Sequence, residues 1–201
     1  MTLFYYQKRP QKQKLQPGFE LNVFVTGFDN FAQVAYNGRH MEALPVFRYT
    51  LCFLTRLDRV LMLLRQKAPN QGLWNGVGGR IETGEDPRSG CLREVREETG
   101  YQLADVRFAG LLTWEGFEIP NGGLYLFTAE APAGEPGPCN EGPLAWKPND
   151  WLYSSPEVVS NIPIFAPTIL RLEPPLTFHF VYHSGHIMHY EMRPVPAQLM
   201  V

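Results

Sequence analysis

Cysteine is scarce in this chain: Cys52, Cys91 and Cys139 are odd in number, widely spread and form no CxxC pair. Neither a disulfide framework nor a zinc knuckle is suggested, and a reducing compartment fits best. Long hydrophobic runs are missing too. The longest aliphatic run of note, Val60 to Leu64, is far too short to span a bilayer. There is no excess of one charge: the net charge is −2 and the isoelectric point about 6.2, which argues against a broad electrostatic footprint for nucleic acid or an anionic membrane. The opening MTLFYYQKRPQKQK places its basic residues after the apolar ones with no apolar segment behind them, so it does not read as a secretion signal. A cytoplasmic protein without a membrane partner is expected, with oligomeric state left open. What the chain does have is apolar mass. With 201 residues, 44% of them apolar and 13% aromatic, it can bury the core of one ordinary domain with roughly forty residues to spare.

Those spare residues lie first. Residues 1–44 read as an extension of unassigned role: a basic segment from Gln7 to Lys14 precedes FELNVFVTGF and FAQVAY, two short strands around Asp29-Asn30. The cluster Lys8, Arg9, Lys12 and Lys14 is better read as a solvated leader than as a nucleic-acid arm. From 45 to 201 a single domain is expected. RYTLCFLTR and RVLMLLR flank Leu57-Asp58 as two buried strands, and QKAPNQGLWNGVGG is loop apart from an extended piece near Trp74. Further strands are expected at 106–114, 124–129 and in LAWKP, with a second helix between Ile162 and Leu172 limited by Pro163 and Pro167. LTFHFVYHSGHIMHYEM closes the chain as a hairpin around Ser184-Gly185. Its four histidines, His179, His183, His186 and His189, read as a polar tip, since two facing imidazoles make a poor zinc site. Mixed strands and helices indicate α/β or α+β rather than all-β.

The sharpest signal is a helix from Pro87 to Thr99. Asp86 is a good N-cap, Pro87 suits the first helical position, and Gly100 is a C-terminal glycine. On it Glu94, Glu97 and Glu98 share one face, leaving Leu92, Val95 and Thr99 to pack on the sheet. Three convergent carboxylates repel, and Arg93 alone does not neutralise them. A divalent cation would; oxygen ligands select Mg²⁺ or Mn²⁺, and Mg²⁺ is typically shared with substrate phosphates. Gly76, Gly78 and Gly79 would let the backbone come close to the helix and add a main-chain carbonyl.

A glutamate-rich face taken alone is most often solvated surface, but the spacing is specific. Gly79, Glu85, Arg93, Glu94, Glu97, Glu98 and Gly100 recur at fixed intervals, with Val95 and Tyr101 between and after them, a coincidence on the order of one in 10⁸ by average usage. The stretch GRIETGEDPRSGCLREVREETGY resembles the signature of the Nudix hydrolases, Gx5Ex7REUxEExGU with U bulky and apolar, at every position. The likeness extends over about three quarters of the chain.

That resemblance implies an α/β/α sandwich around a mixed sheet and Mg²⁺-dependent hydrolysis of a nucleoside-linked diphosphate. It implies Glu94, Glu97 and Glu98 as metal ligands with the Gly78 carbonyl, and Glu85 with Arg93 as the pair holding loop and helix in register. The general base is open between Glu97, Glu98 and a loop acid. Glu141 matches a further metal-binding glutamate, with a solvated loop acid as the equal alternative. The stretch before the signature is similar to enzymes that remove oxidised purine nucleotides such as 8-oxo-dGTP, which implies Asn75, beside Trp74, for base recognition and Arg65 or Lys67 for a phosphate. Where such relatives carry acids before the last helix, this chain has Asn161. Trp146, Trp151 and Phe165 are stacking candidates better read as core. The expected activity is release of a monophosphate and pyrophosphate from nucleoside triphosphates. ADP-ribose or dinucleoside polyphosphates are the alternative substrates, and a nucleotide-sensing module is the alternative class.

Overall fold

A computed structural model of the chain describes residues 22–25, 31–36, 39–40, 44–45 and 47–201. The chain divides into two compact units, Met1–Val46 and Phe47–Val201. In the first, β1 (Asn22–Val25) pairs antiparallel with β2 (Phe31–Tyr36), which also pairs with β3 (Arg39–His40) and β4 (Leu44–Pro45). The basic segment Gln7–Lys14 and the turn Asp29-Asn30 lie outside the described residues.

The second unit is built on an eight-stranded mixed sheet. Its strands are β5 (Phe47–Arg56), β6 (Arg59–Leu64), β7 (Trp74–Asn75), β8 (Arg107–Glu115), β9 (Gly122–Glu130), β10 (Leu144–Pro148), β11 (Leu176–His183) and β12 (His186–Pro194). They run in the order β10-β6-β5-β9-β8-β11-β12, with β7 beside β6. The pairs β5 with β9 and β8 with β11 are parallel, and the rest are antiparallel.

Both faces of this sheet are covered, which explains why β5 and β6 read as continuous apolar runs rather than alternating ones. Phe53 on β5 and Val60 and Met62 on β6 join the core under two helices, α2 (Asn149–Ser154) and α3 (Ile162–Leu170). Cys52, Leu54, Leu61 and Leu63, one residue out of phase, join the core under α1 (Pro87–Thr99). The period of two along each strand thus feeds two separate cores. Edge-on aromatic packing of Phe53 on Phe165, with centroids 5.7 Å apart, ties α3 to the sheet.

The helix α1 has the bounds its caps specify. The Asp86 carboxylate accepts the Arg88 and Ser89 N–H groups, each at 3.0 Å, and Gly100 leaves the helix at φ 75°. Helix α3 ends at Leu170, two residues before the expected Leu172, with Pro167 inside it. The short α2 follows LAWKP directly and is not foreseen from the sequence, because it has no side-chain cap and only six residues. Among the described residues no helix is long and apolar enough to cross a membrane.

Candidate active site

The loop from Gly76 to Glu85 and helix α1 meet at one guanidinium. Arg93 donates to both oxygens of Glu85, each at 3.0 Å, to the Arg80 carbonyl at 2.9 Å, to Glu94 Oε1 at 2.8 Å and to Glu97 Oε2 at 3.3 Å. The fork geometry of arginine suits the two parallel bonds to Glu85. Those bonds hold the Glu85 carboxyl below its usual range and raise the guanidinium further. Loop and helix are therefore fixed in register by charge as well as by chain continuity.

Glu98 points elsewhere. It is 5% exposed, its Oε2 accepts the Gly78 N–H at 2.7 Å, and its Oε1 is buried without a hydrogen-bond partner. Burial pushes its carboxyl up to about 8, helped by the nearby Glu141 and Glu94 and opposed by the Gly78 bond. Burial also raises Glu94, against the pull of Arg93. Glu97 is mostly exposed.

This arrangement differs from three carboxylates on one solvated face. Glu98 packs with the buried side of α1, beside Cys91, Val95 and Thr99, while Leu92 is only partly buried. Arg93 draws Glu94 and Glu97 toward itself, and Gly78 holds Glu98, so among the described residues no three ligating side chains are gathered at metal-binding distance. The donors nevertheless suit a hard cation. All are oxygens, and Glu98 Oε1 is a buried acceptor lacking the positive partner that burial of an anion requires.

The glycines act differently from one another. A Cβ on Gly79 would fall 2.6 Å from the Glu94 carboxylate, so this residue permits the loop to touch the helix. Gly78, at φ 140°, and Gly76 instead lie against β5, where a Cβ would meet the carbonyls of Thr50 and Cys52 at 2.4 and 2.8 Å.

A cavity of about 310 Å³ opens beside this loop, at the low end of the range for small-molecule sites. Gly78, Gly79 and Arg80 form one wall with Arg65, Asn75, Glu141 and Asn161, and Tyr49, Trp114, Phe117 and Tyr182 supply the aromatic wall. Arg65 is braced by Nε–H donation to the Pro69 carbonyl at 2.8 Å and by Glu141 at 3.4 Å. Asn75 Oδ1 accepts the Gly76 N–H at 3.0 Å.

Glu85, Arg93, Glu94, Glu97 and Glu98 lie outside the cavity wall, as do two of the residues expected to bind substrate. Trp74 is buried against Trp151 with centroids 6.3 Å apart, and Lys67 is exposed outside the wall. Trp146 lies under the Arg56 guanidinium and Phe165 is in the core. The aromatic wall was not selected from the sequence. Its signal is the alternation that sets Tyr49 one residue out of phase with Thr50 and Cys52, but the four rings come from three distant segments, Trp114 and Phe117 sharing one.

A family model described as the NUDIX domain matches residues 47–162. The chain is 34% identical over 107 residues to an uncharacterized Nudix hydrolase, YvcI, of Bacillus subtilis (strain 168), covering 49% of this chain and 64% of that protein. It is 29% identical over 99 residues to an oxidized purine nucleoside triphosphate hydrolase of Mus musculus, covering 49% and 64% respectively. The chain thus spans less than two thirds of the length of these curated relatives. Among solved structures, a mutator MutT protein from Bacillus halodurans is similar at a TM-score of 0.64 and 27% identity, covering 74% of this chain and 99% of that one.

Proposed function

The chain belongs to the Nudix family, and from that premise we propose that it hydrolyses nucleoside triphosphates to a monophosphate and pyrophosphate, with residues 45–201 as the hydrolase domain. The observation that carries the reading is the buried Glu98, short of a positive partner at Oε1, set behind the Gly78 wall of an aromatic-lined cavity.

Glu94, Glu97 and Glu98 would hold Mg²⁺ or Mn²⁺, with Glu141 and the Gly78 carbonyl as further ligands. When bound, the cation neutralises phosphate oxygens and the charge that develops on the leaving pyrophosphate. The chain's own residues do the rest. Arg65 offers a guanidinium to a phosphate at the cavity wall. Arg93 and Glu85 keep the loop from drifting away from α1, which preserves the approach of phosphorus to the attacking water. Glu98 is fixed by the Gly78 N–H, whereas Glu97 is exposed enough to orient that water and take its proton. The water oxygen bonds to phosphorus as the anhydride P–O bond breaks, in line and without a covalent intermediate.

The aromatic wall of the cavity suits a nucleobase. Tyr49, Trp114, Phe117 and Tyr182 offer faces and edges for stacking, and Trp114 is oriented by Nε1–H donation to the Pro120 carbonyl at 3.1 Å. Asn75 and Asn161 offer amides that donate and accept, as a purine edge requires. The similarity to an enzyme named for oxidised purine nucleoside triphosphates supports purines as the first substrates to assay. Pyrophosphate and phosphate release with Mg²⁺ would be measured for dGTP, 8-oxo-dGTP, the other triphosphates, ADP-ribose and diadenosine tetraphosphate. Pyrophosphate from a purine triphosphate is expected. Turnover of only the last two would move the substrate class to linked diphosphates, and binding without turnover would replace hydrolysis with nucleotide sensing.

A further inference from the structure

We infer that Lys147 is a positioning residue: its ammonium clamps the indoles of Trp74 and Trp151 and thereby fixes the spacing of the two cavity asparagines, Asn75 and Asn161. The inference rests on the reading of the cavity as a nucleobase site.

Lys147 lies on β10, partly buried and away from the cavity wall. Its Nζ stands 4.2 Å from the Trp74 ring centroid and 4.6 Å from that of Trp151. The two indoles themselves meet edge to face at 86°. A cation within about 6 Å of an indole is held by the ring quadrupole, and more strongly where water is partly excluded. One ammonium serving two rings joins β10, β7 and α2 at a single point.

Trp74 passes that constraint to both asparagines. Its N–H donates to the Glu157 carbonyl at 2.8 Å, and its carbonyl accepts the Val159 N–H at 3.0 Å. On its other side β7 pairs with β6, Leu64 opposite Trp74 and Leu63 opposite Asn75. Asn75 is the next residue along β7, and Asn161 follows two residues after Val159. The amides are therefore carried by two backbone strips that are bonded to each other through Trp74. Trp151, the other ring in the clamp, belongs to α2, which packs on α3 immediately after Asn161.

The test compares Lys147→Met, which keeps the aliphatic stem and removes the charge, with Lys147→Arg, which keeps a stacking cation. Steady-state kinetics of the full chain are read with a purine and a pyrimidine triphosphate. Lys147→Met is expected to raise KM for the purine about tenfold with kcat within about twofold, to leave the pyrimidine KM unchanged, and to be rescued by arginine. An unchanged purine KM, or equal losses on both bases, overturns the positioning role. Hydrogen exchange at the Trp74 and Val159 amides supplies a readout that needs no turnover. Faster exchange in Lys147→Met and wild-type protection in Lys147→Arg are expected, and unchanged protection in both overturns the clamp. If the wild-type chain hydrolyses no substrate of the panel, the functional reading falls while the exchange measurement still decides the clamp.

Discussion

Replacing Arg93 with alanine removes five hydrogen bonds at once, three of them to the carboxylates of Glu85 and Glu94. The side chains of Arg93 and Glu85 are only 18% and 16% exposed, so the pair falls between a surface ion pair, worth about 0–1 kcal/mol, and a buried one whose rupture costs about 3–5 kcal/mol. Arg93→Ala is therefore expected to lower unfolding free energy by about 3 kcal/mol and Glu85→Ala by about 2 kcal/mol. Because the two bonds between Arg93 and Glu85 are lost in both single variants, the double variant should lose about 3 kcal/mol rather than 5, a coupling of about 2 kcal/mol. Urea unfolding at neutral pH with EDTA keeps metal binding out of the comparison. With a slope of about 2 kcal/mol/M, the Arg93→Ala midpoint should fall by about 1.5 M. Arg93→Lys keeps the charge but not the fork, and should recover less than half of that loss. A coupling below about 0.5 kcal/mol would refute the reasoning, since the pair would then behave as an exposed one.

Glu98→Gln removes a buried carboxyl, pushed up to about 8, that must take up a proton as the chain folds at neutral pH, while retaining an oxygen for the Gly78 N–H. The metal-free variant should be more stable by about 1 kcal/mol in the same urea assay, yet slower with Mg²⁺ by about a hundredfold or more; an active variant would remove Glu98 from the machinery. Gly79→Ala sets a methyl against the Glu94 carboxylate and should lower kcat about tenfold or more by displacing it, with circular dichroism unchanged because the clash is with a side-chain end; wild-type kcat would end that account. Asn75→Ala should raise KM for purine triphosphates and not for pyrimidines, and equal effects would take Asn75 out of base reading. Asp86→Ala should lower the melting temperature by about 2–4 °C through loss of the N-cap, and an unchanged temperature would mean that tertiary packing alone holds the start of α1.

Helix α1 was legible because its information is local: Asp86, Pro87 and Gly100 set its ends within a turn of where they act. Strands β5 and β6 were legible because burial on both faces leaves an apolar run with no competing pattern. The depth of Glu98 was not. A helical wheel groups residues 94, 97 and 98 together, but whether one edge of that group is wet depends on the loop that covers it. Here Gly78 covers it by lying against Thr50 on β5, a contact between residues 28 positions apart. The aromatic wall was illegible for the same reason. Tyr49, Trp114 and Tyr182 become neighbours through the strand order, and periodicity along one strand does not specify which strand comes beside it. Asn75 and Asn161 were selected through the family resemblance, and the Trp74 backbone bonds explain how loops 86 residues apart reach one cavity wall.

The charge balance gives a physical reason for the whole constellation. Of the carboxylates of Glu85, Glu94, Glu97 and Glu98, the Arg93 guanidinium binds the first three, and Glu98 turns away to the Gly78 N–H. Arg93 makes the cluster compatible with folding without neutralising it. The deficit is concentrated at Glu98, where burial makes the uncompensated charge most costly. A site arranged this way holds its backbone register without a metal and, on the proposed function, leaves the Glu98 carboxyl for a cation. A substitution that relieves the repulsion should therefore stabilise the metal-free chain and weaken its cation binding together, whereas one that breaks the Arg93 fork should harm both.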